Sequence, residues 1–331
     1  MTDAPACSLL LPCYNEAPHI ARVLGEILAP GQRSRECLVV DGGSRDGTRA
    51  IVTRLAATDP RIRLLENPRR LQSVALNTGL EQARGTWVVR IDAHSFYPEG
   101  YVDRVVDLLE ETGADNAGGG MRPVARKGFA RVVAWAMCHP LGVGGARFHR
   151  EAPFQGWVDT VYLGAFRRQD LLDMGGWDEA SWPNEDGELN LRIRRRGGRI
   201  WLDNRIRVGY EPRSSWWGLG LQYFRYGQGR AYTTRKWRSF AAPRQALLAG
   251  GLPLALLGIL AGHLAGYSLA GLLPWGLYAS SLLVGATLPA PGHLRVRLLA
   301  RLCLPPTLAW MHLVWALGFW KGLLAGPGRR F

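Results

Sequence analysis

Along the first hundred residues, short apolar runs alternate with stretches whose apolar positions recur every three or four residues. Residues 7–11 form an apolar run of strand length, with Pro12 as its expected stop. After the loop Cys13-Tyr14-Asn15-Glu16, Pro18 can open a helix that carries Ile20, Val23, Leu24 and Ile27 on one face. Leu38, Val39 and Val40 make a second strand. It ends in the run Asp41-Gly42-Gly43-Ser44-Arg45-Asp46-Gly47-Thr48, whose glycines permit a tight turn before a helix over 48–55. A third strand over 62–65, a helix over 73–83 and another strand over 87–91 continue the alternation. Such alternation predicts right-handed crossovers and a mostly parallel sheet, an α/β fold.

The strand over 87–91 ends in Asp92 and, two positions on, His94. Residues i and i+2 of a strand share a face, so an extended chain lets both converge on one ion. An oxygen and a nitrogen ligand suit Mg²⁺ or Mn²⁺ carried by a phosphate-bearing substrate better than a closed zinc site. The plainer alternative has Asp92 starting a turn and His94 packing beneath Phe96 and Tyr97. Farther on, Gly118-Gly119-Gly120 reads as part of an edge strand whose glycines admit a substrate or form a bulge. Glu185 and Asp186 precede a helix with Leu189, Leu191 and Ile193, where they serve either chemistry or the helix dipole.

The pattern changes near Arg244. Residues 245–294 contain no Asp, Glu, Lys or Arg, and residues 302–320 form another uncharged run. With about 20 apolar residues needed per span, these segments predict about three transmembrane or interfacial helices over 241–331, behind a soluble domain over 1–240. The formal charge of +14 concentrates beside them: Arg235, Lys236, Arg238 and Arg244 before the first span, Arg295, Arg297 and Arg301 between the second and third. Short basic loops stay in the cytoplasm, which places the large domain there and the chain in the inner membrane as a multi-pass protein. Arg329 and Arg330 at the tail strain a three-span topology, so one segment is expected to lie in the interface. Basic residues along the bilayer favour anionic membrane lipids. Nucleic acid is not an expected partner, because no basic stripe interleaved with aromatics crosses the soluble part.

Five scattered cysteines without C-x-x-C spacing argue against a disulfide framework or a zinc site, and no signal segment opens the chain. A dinucleotide site would need a G-x-G-x-x-G turn directly after a strand, which neither of the first two strands supplies.

Four motifs in order now bear on identity: residues 8–16 with Pro12, Tyr14 and Glu16; Val39-Val40-Asp41-Gly42-Gly43-Ser44 with Asp46-Gly47-Thr48; Asn77-Thr78-Gly79 with Ala83-Arg84-Gly85; and Asp92-Ala93-His94. Over about residues 8–230 the chain resembles family 2 glycosyltransferases of the GT-A fold. By that resemblance Pro12, Tyr14 and Glu16 line the nucleoside pocket and Asp41 meets the base. Asp92 and His94 stand where the family has its Asp-x-Asp motif for the divalent cation, with His94 in place of the second Asp. Glu185-Asp186 matches the family's Glu-Asp pair, which implies that Asp186 is the base and Glu185 orients the acceptor. Gln222-Tyr223-Phe224-Arg225-Tyr226 is similar to the Gln-x-x-Arg-Trp motif of membrane-bound members, with Tyr226 replacing Trp. Gln222 and Arg225, at i and i+3, share a helix face toward a diphosphate or acceptor sugar. Nearby Trp216 and Trp217 suit an interfacial belt. His312-Leu313-Val314-Trp315, Gly318-Phe319 and Gly322 are similar to the last span of the family's succinoglycan-type glucosyltransferases.

The implied activity is metal-dependent, inverting transfer of a sugar from a nucleotide diphosphate donor to a lipid-linked or other membrane saccharide in exopolysaccharide assembly. Transfer to polyprenyl phosphate is the alternative within the class. A membrane oxidoreductase and a non-catalytic nucleotide-sugar receptor are the rivals outside it.

Overall fold

The computed structural model describes residues 5–31, 33–125, 128–143, 146–240, 243–294 and 298–325. Arg295, Arg297, Arg329 and Arg330, part of the charge pattern above, lie outside the described residues. The chain divides into two units, Met1–Arg122 with Ala146–Glu211, and Pro123–Gly145 with Pro212–Phe331.

In the first unit β1 (Cys7–Cys13), α1 (Ile20–Ile27), β2 (Arg35–Asp41), α2 (Thr48–Thr58), β3 (Ile62–Glu66), α3 (Gln72–Gln82), β4 (Trp87–Arg90), α4 (Tyr101–Thr112) and β5 (Asn116–Pro123) follow the predicted alternation. After an excursion through α5 (Phe129–Cys138) and α6 (Pro140–Val143), the chain adds β6 (Gln155–Val158), β7 (Tyr162–Arg167), α7 (Arg168–Asp173), α8 (Glu185–Arg195) and β8 (Ile200–Tyr210). The sheet order is β3-β2-β1-β4-β7-β5-β8-β6. Strands β3, β2, β1 and β4 pair parallel, whereas β7 runs antiparallel to β4 and to β5, and β6 antiparallel to β8. The parallel half comes from the crossovers that the apolar periodicity predicted.

Pro12 does not stop β1. Leu10 is opposite Arg90, the last residue of β4, so beyond it β1 has no neighbour on that side for a Pro12 N–H to meet. Nor is β5 an edge strand. It lies between β7 and β8, and its glycines bring backbones together: a Cβ on Gly118 would stand 2.9 Å from the Tyr162 carbonyl, and one on Gly120 2.9 Å from that of Asn204. Its pairing with β7 shifts register between Ala117 and Gly119, the bulge that the glycines offered. Leu9, Leu11, Val39, Val89 and Ile91 pack on one sheet face with Ile20, Val23, Ile27, Val102 and Val105. Leu10, Leu38, Val88 and Phe166 cover the other with Leu76, Leu80, Trp177 and Leu189. Burial on both faces explains why these strands read as continuous apolar runs.

The second unit holds α5, α6, α9 (Trp216–Trp237), α10 (Pro243–Leu264), α11 (Ser268–Gly271), α12 (Leu273–Gly285) and α13 (Leu298–Leu324). The expected boundary at 240/241 is not where the contacts divide. Helix α9 lies against α13 through small residues: a Cβ on Gly227 would overlap the Trp315 carbonyl, and one on Gly318 that of Phe224. Ala231, Ala249, Trp315 and Phe319 form a small core beside them. This packing puts α9 in the second unit, and the apolar α5, which also touches α13, joins it. Among the described residues two helices are long and apolar enough to cross a membrane, residues 243–264 and 300–324. Only 6% of the most apolar stretch of the first is covered within the protein. The segment between them is broken into α11 and the 13-residue α12, short of the roughly 20 residues a span requires. Among the described residues no disulfide joins the cysteines.

Candidate active site

The carboxyl ends of parallel strands are where ligands bind in open α/β sheets. At that edge the loops after β1 and β2 are knitted together. The Asn15 N–H donates to Ser44 Oγ at 2.8 Å, the Glu16 N–H to Thr48 Oγ1 at 2.8 Å and the Ala17 N–H to Asp46 Oδ2 at 3.0 Å. Asn15 takes positive φ to make the turn. Pro12 lies opposite Val40, one residue before the pairing ends at Cys13 and Asp41, and Tyr14 stands on the surface, its ring against Gly42 and 5.5 Å from the Arg70 guanidinium carbon. An exposed ring over a glycine offers a flat face for a base. Asp41, expected to meet that base, is buried and engaged by its own turn: it accepts from the N–H groups of Gly43 (3.0 Å) and Ser44 (3.1 Å) and pairs with Arg49 at 3.5 Å. It shapes the loop beneath Tyr14.

At the tip of β4 the chain does not stay extended. It turns after Asp92, with the Ser95 N–H donating to the Asp92 carbonyl at 3.3 Å, so the shared strand face expected for Asp92 and His94 is not present. His94 Nδ1 lies 3.4 Å from Glu16 Oε1, and its ring lies 6.2 Å from that of Tyr210. Asp92 starts a turn, as the plainer alternative had it, and the Tyr97 hydroxyl accepts from the Asp92 N–H at 2.7 Å, but His94 is exposed and does not pack beneath Phe96 and Tyr97.

Asp92 belongs to a second cluster, built around Arg90. The Arg90 side chain is 6% exposed, and its NH2 stands 3.5 Å from Asp92 Oδ1 and 3.6 Å from Glu185 Oε1, while NH1 is ion-paired with Asp186 Oδ1. Gln72 completes the cluster, accepting from Arg90 NH2 at 2.7 Å and donating to Glu185 Oε1 at 3.0 Å. Burial works against the charge of Arg90, but Asp186, Asp92 and Glu185 more than offset it and hold its pKa above the ordinary value. Burial pushes the Glu185 carboxyl up to about 7, against the pull of Arg90 and with the repulsion of Asp186. Asp186 is one-third exposed, and the Trp177 Nε1–H donates to its Oδ1 at 3.2 Å. Both partners therefore hold Oδ1, and among the described residues none reaches Oδ2. Both acids lie in the first turn of α8, where they also face the positive end of its dipole, and the N-cap position is Asn184.

The structure thus gathers Asp92, Glu185 and Asp186 around Arg90, and Glu16 with His94 beside Tyr14 and Pro12. Gln222 and Arg225 lie on α9, as predicted, but in the second unit; there Gln222 donates to the Tyr226 hydroxyl at 2.9 Å. Arg90, Gln72 and Trp177 escaped the sequence reading. One signal was present: Arg90 is a charge inside an otherwise apolar buried strand. Among the described residues no group of three or more His, Cys, Asp or Glu side chains is arranged to hold a metal ion. One carboxylate and one imidazole nevertheless fit Mg²⁺ or Mn²⁺, which keep water and phosphate ligands and take only one or two from protein.

The chain belongs to Glycosyl transferase family 2, whose sequence profile matches residues 8–174, and its fold is of the GT-A type. That membership sets aside the oxidoreductase reading. The chain is 37% identical over 325 residues, 96% of its length and 94% of the relative's, to the succinoglycan biosynthesis protein ExoA of Rhizobium meliloti. In fold it is similar to the mannosyltransferase PcManGT of Pyrobaculum calidifontis, solved with GDP-Man and Mn²⁺, at TM-score 0.63 and 23% identity over 98% of this chain and 88% of that one. It is also similar to S. aureus TarS, solved with UDP-GlcNAc, at TM-score 0.50 and 15% identity over 95% and 90% of the two chains.

Proposed function

We propose that the protein transfers a sugar, with inversion, from a nucleotide diphosphate sugar to a lipid-linked saccharide during exopolysaccharide assembly. The observation that carries this reading is the state of Asp186, in the first turn of α8: one carboxylate oxygen is fixed by Arg90 and Trp177, and among the described residues none reaches the other. That oxygen takes the proton of the acceptor hydroxyl as it attacks the anomeric carbon and the nucleoside diphosphate departs. Glu185 is buried and orients the pair. Tyr14, Pro12 and Glu16 hold the nucleoside, with Asp41 shaping their loop. Asp92 and His94 would hold Mg²⁺ or Mn²⁺, which when bound offsets the charge of the departing diphosphate.

The resemblance to a succinoglycan biosynthesis protein along nearly the whole chain supports the pathway. The two long apolar helices support attachment to the inner membrane. In this reading the first unit faces the cytoplasm, and the resemblance to membrane-bound family members assigns Gln222 and Arg225 to a diphosphate or an acceptor sugar. The test is a screen of UDP-, GDP- and dTDP-sugars for donor hydrolysis by the purified full-length protein with Mn²⁺ or Mg²⁺. Hydrolysis of one donor above the others supports transfer, whereas binding without turnover of any would return the protein to a non-catalytic receptor. Transfer to polyprenyl phosphate in the same assay would select the alternative acceptor.

A further inference from the structure

Arg90 is not itself at a position expected to touch substrate, yet three carboxylates, those of Asp92, Glu185 and Asp186, surround it. An apolar residue between Val89 and Ile91 would serve the strand as well, and a buried ion pair is often no more stabilising than its apolar replacement. The cluster also overcompensates the cation, with Asp92, Glu185 and Asp186 around a single guanidinium. Fold stability therefore does not account for it. Its geometry offers another reason. A guanidinium is planar and presents its donors in a rigid fork, so groups bound to its two ends are held at a fixed separation and angle. Here one end, NH1, meets Asp186, and the other, NH2, meets Asp92, Glu185 and the Gln72 amide oxygen.

We propose that Arg90 is a positioning residue for sugar transfer: it pins Asp186 through Oδ1 so that Oδ2 is presented to the acceptor hydroxyl, and it ties that orientation to Asp92 on the donor side. The inference rests on the transfer reading above, in which Asp186 is the base. Because the guanidinium is buried, it acts through Asp186 without touching substrate, and its loss should lower kcat while leaving donor affinity in place.

Arg90→Gln alone leaves three carboxylates facing one another and risks misfolding. The informative variant is Arg90→Gln with Glu185→Gln, which removes one cation and one anion and keeps the net charge of the cluster. Donor hydrolysis by the full-length protein would be measured for this double variant, Glu185→Gln, Arg90→Lys and Asp186→Asn, with UDP and GDP affinity by calorimetry. Relative to Glu185→Gln, the double variant should lose about 10²-fold in kcat, the scale of a misplaced reacting group, with KM and nucleotide affinity within about threefold. Arg90→Lys, which restores the charge without the fork, should stand between parent and double variant. A double variant within about threefold of Glu185→Gln in kcat, beside an inactive Asp186→Asn, would overturn the role of Arg90 alone. An active Asp186→Asn would instead overturn the underlying assignment of the base and the inference with it.

Discussion

Trp177 donates its indole N–H to the same oxygen of Asp186 that is ion-paired with Arg90, at 3.2 Å for the indole. Holding one oxygen twice leaves the carboxylate a single open oxygen in a defined direction. Asp186→Asn is nearly isosteric, and the helix start should survive because Asn184, not Asp186, is the N-cap. We expect transfer to fall by ~10²–10⁴ with nucleotide affinity unchanged. Trp177→Phe keeps the edge-on contact with Phe166, whose ring centroid lies 5.8 Å away, but deletes the N–H. A hydrogen bond to a charged group is worth about 1.5–3 kcal/mol, so kcat should fall roughly tenfold or more. Steady-state kinetics on both variants checks the pair. An Asp186→Asn enzyme within about threefold of the parent would exclude Asp186 as the base.

Divalent cation should be required, and the two expected ligands should differ in weight. Asp92→Asn replaces an anionic oxygen with a neutral amide and also unbalances Arg90, so both metal-dependent nucleotide binding and turnover should drop severely. His94→Ala should be milder, because its Nδ1 already faces Glu16 at 3.4 Å. Calorimetric titration of UDP and GDP with Mn²⁺, with Mg²⁺ and with excess chelator separates these outcomes. Unchanged nucleotide affinity and turnover in chelator would remove the metal from the site.

The buried Glu185 carboxyl gives a pH-dependent stability with an unusual sign. Its pKa rises in the folded chain from 4.5 to about 7, chiefly through burial, and among the described residues its Oε2 has no hydrogen-bond partner. A folded-state value above the unfolded one means that the native protein holds the proton more tightly. The contribution is fully present below the unfolded value and is lost as pH rises through about 7. Glu185→Gln mimics the protonated form, so the variant should melt above the parent at pH 8, and the gap should narrow as pH falls toward 5. Equal melting temperatures across that range would mean that Glu185 is stably ionised in place.

The part of this arrangement that was legible in the sequence is the part with short period. Leu38, Val39 and Val40 announce a buried strand, and Ile20, Val23, Leu24 and Ile27 a helix, because burial of one face or two leaves a repeat within ten residues. Asp92 and Asp186 were found by motif. What joins them was not, because Arg90 and Gln72 reach Glu185 across a fold that brings residues about a hundred positions apart into contact. Trp177 was visible as a residue, but its N–H direction depends on packing against Phe166. Strand β8 also escaped notice, since Arg205 and Arg207 interrupt its apolar pattern, Arg205 pairing with the Asp203 carboxylate and Arg207 donating to the Asn204 carbonyl. The seating of α9 on α13 was illegible for a related reason: α9 looks polar along its sequence, and the glycines that seat it on α13 carry no hydrophobic signal.

Those glycines allow a test whose sign depends on position. A Cβ on Gly227 would overlap the Trp315 carbonyl and crowd the Phe319 N–H at 2.7 Å, so Gly227→Ala must push α13 away from α9. Overpacking of this kind costs about 1–3 kcal/mol. Gly251 on α10 has nothing within 4 Å of an added Cβ, and there Gly251→Ala should gain up to about 1 kcal/mol from helix propensity. Thermal unfolding in detergent should therefore shift down for Gly227→Ala and stay level or rise for Gly251→Ala. Because α9 also carries Gln222 and Arg225, Gly227→Ala should weaken transfer to a membrane acceptor more than donor hydrolysis, which the first unit performs in the proposed reading. A Gly227→Ala protein that melts with the parent would show that the two helices are not seated on each other through this glycine.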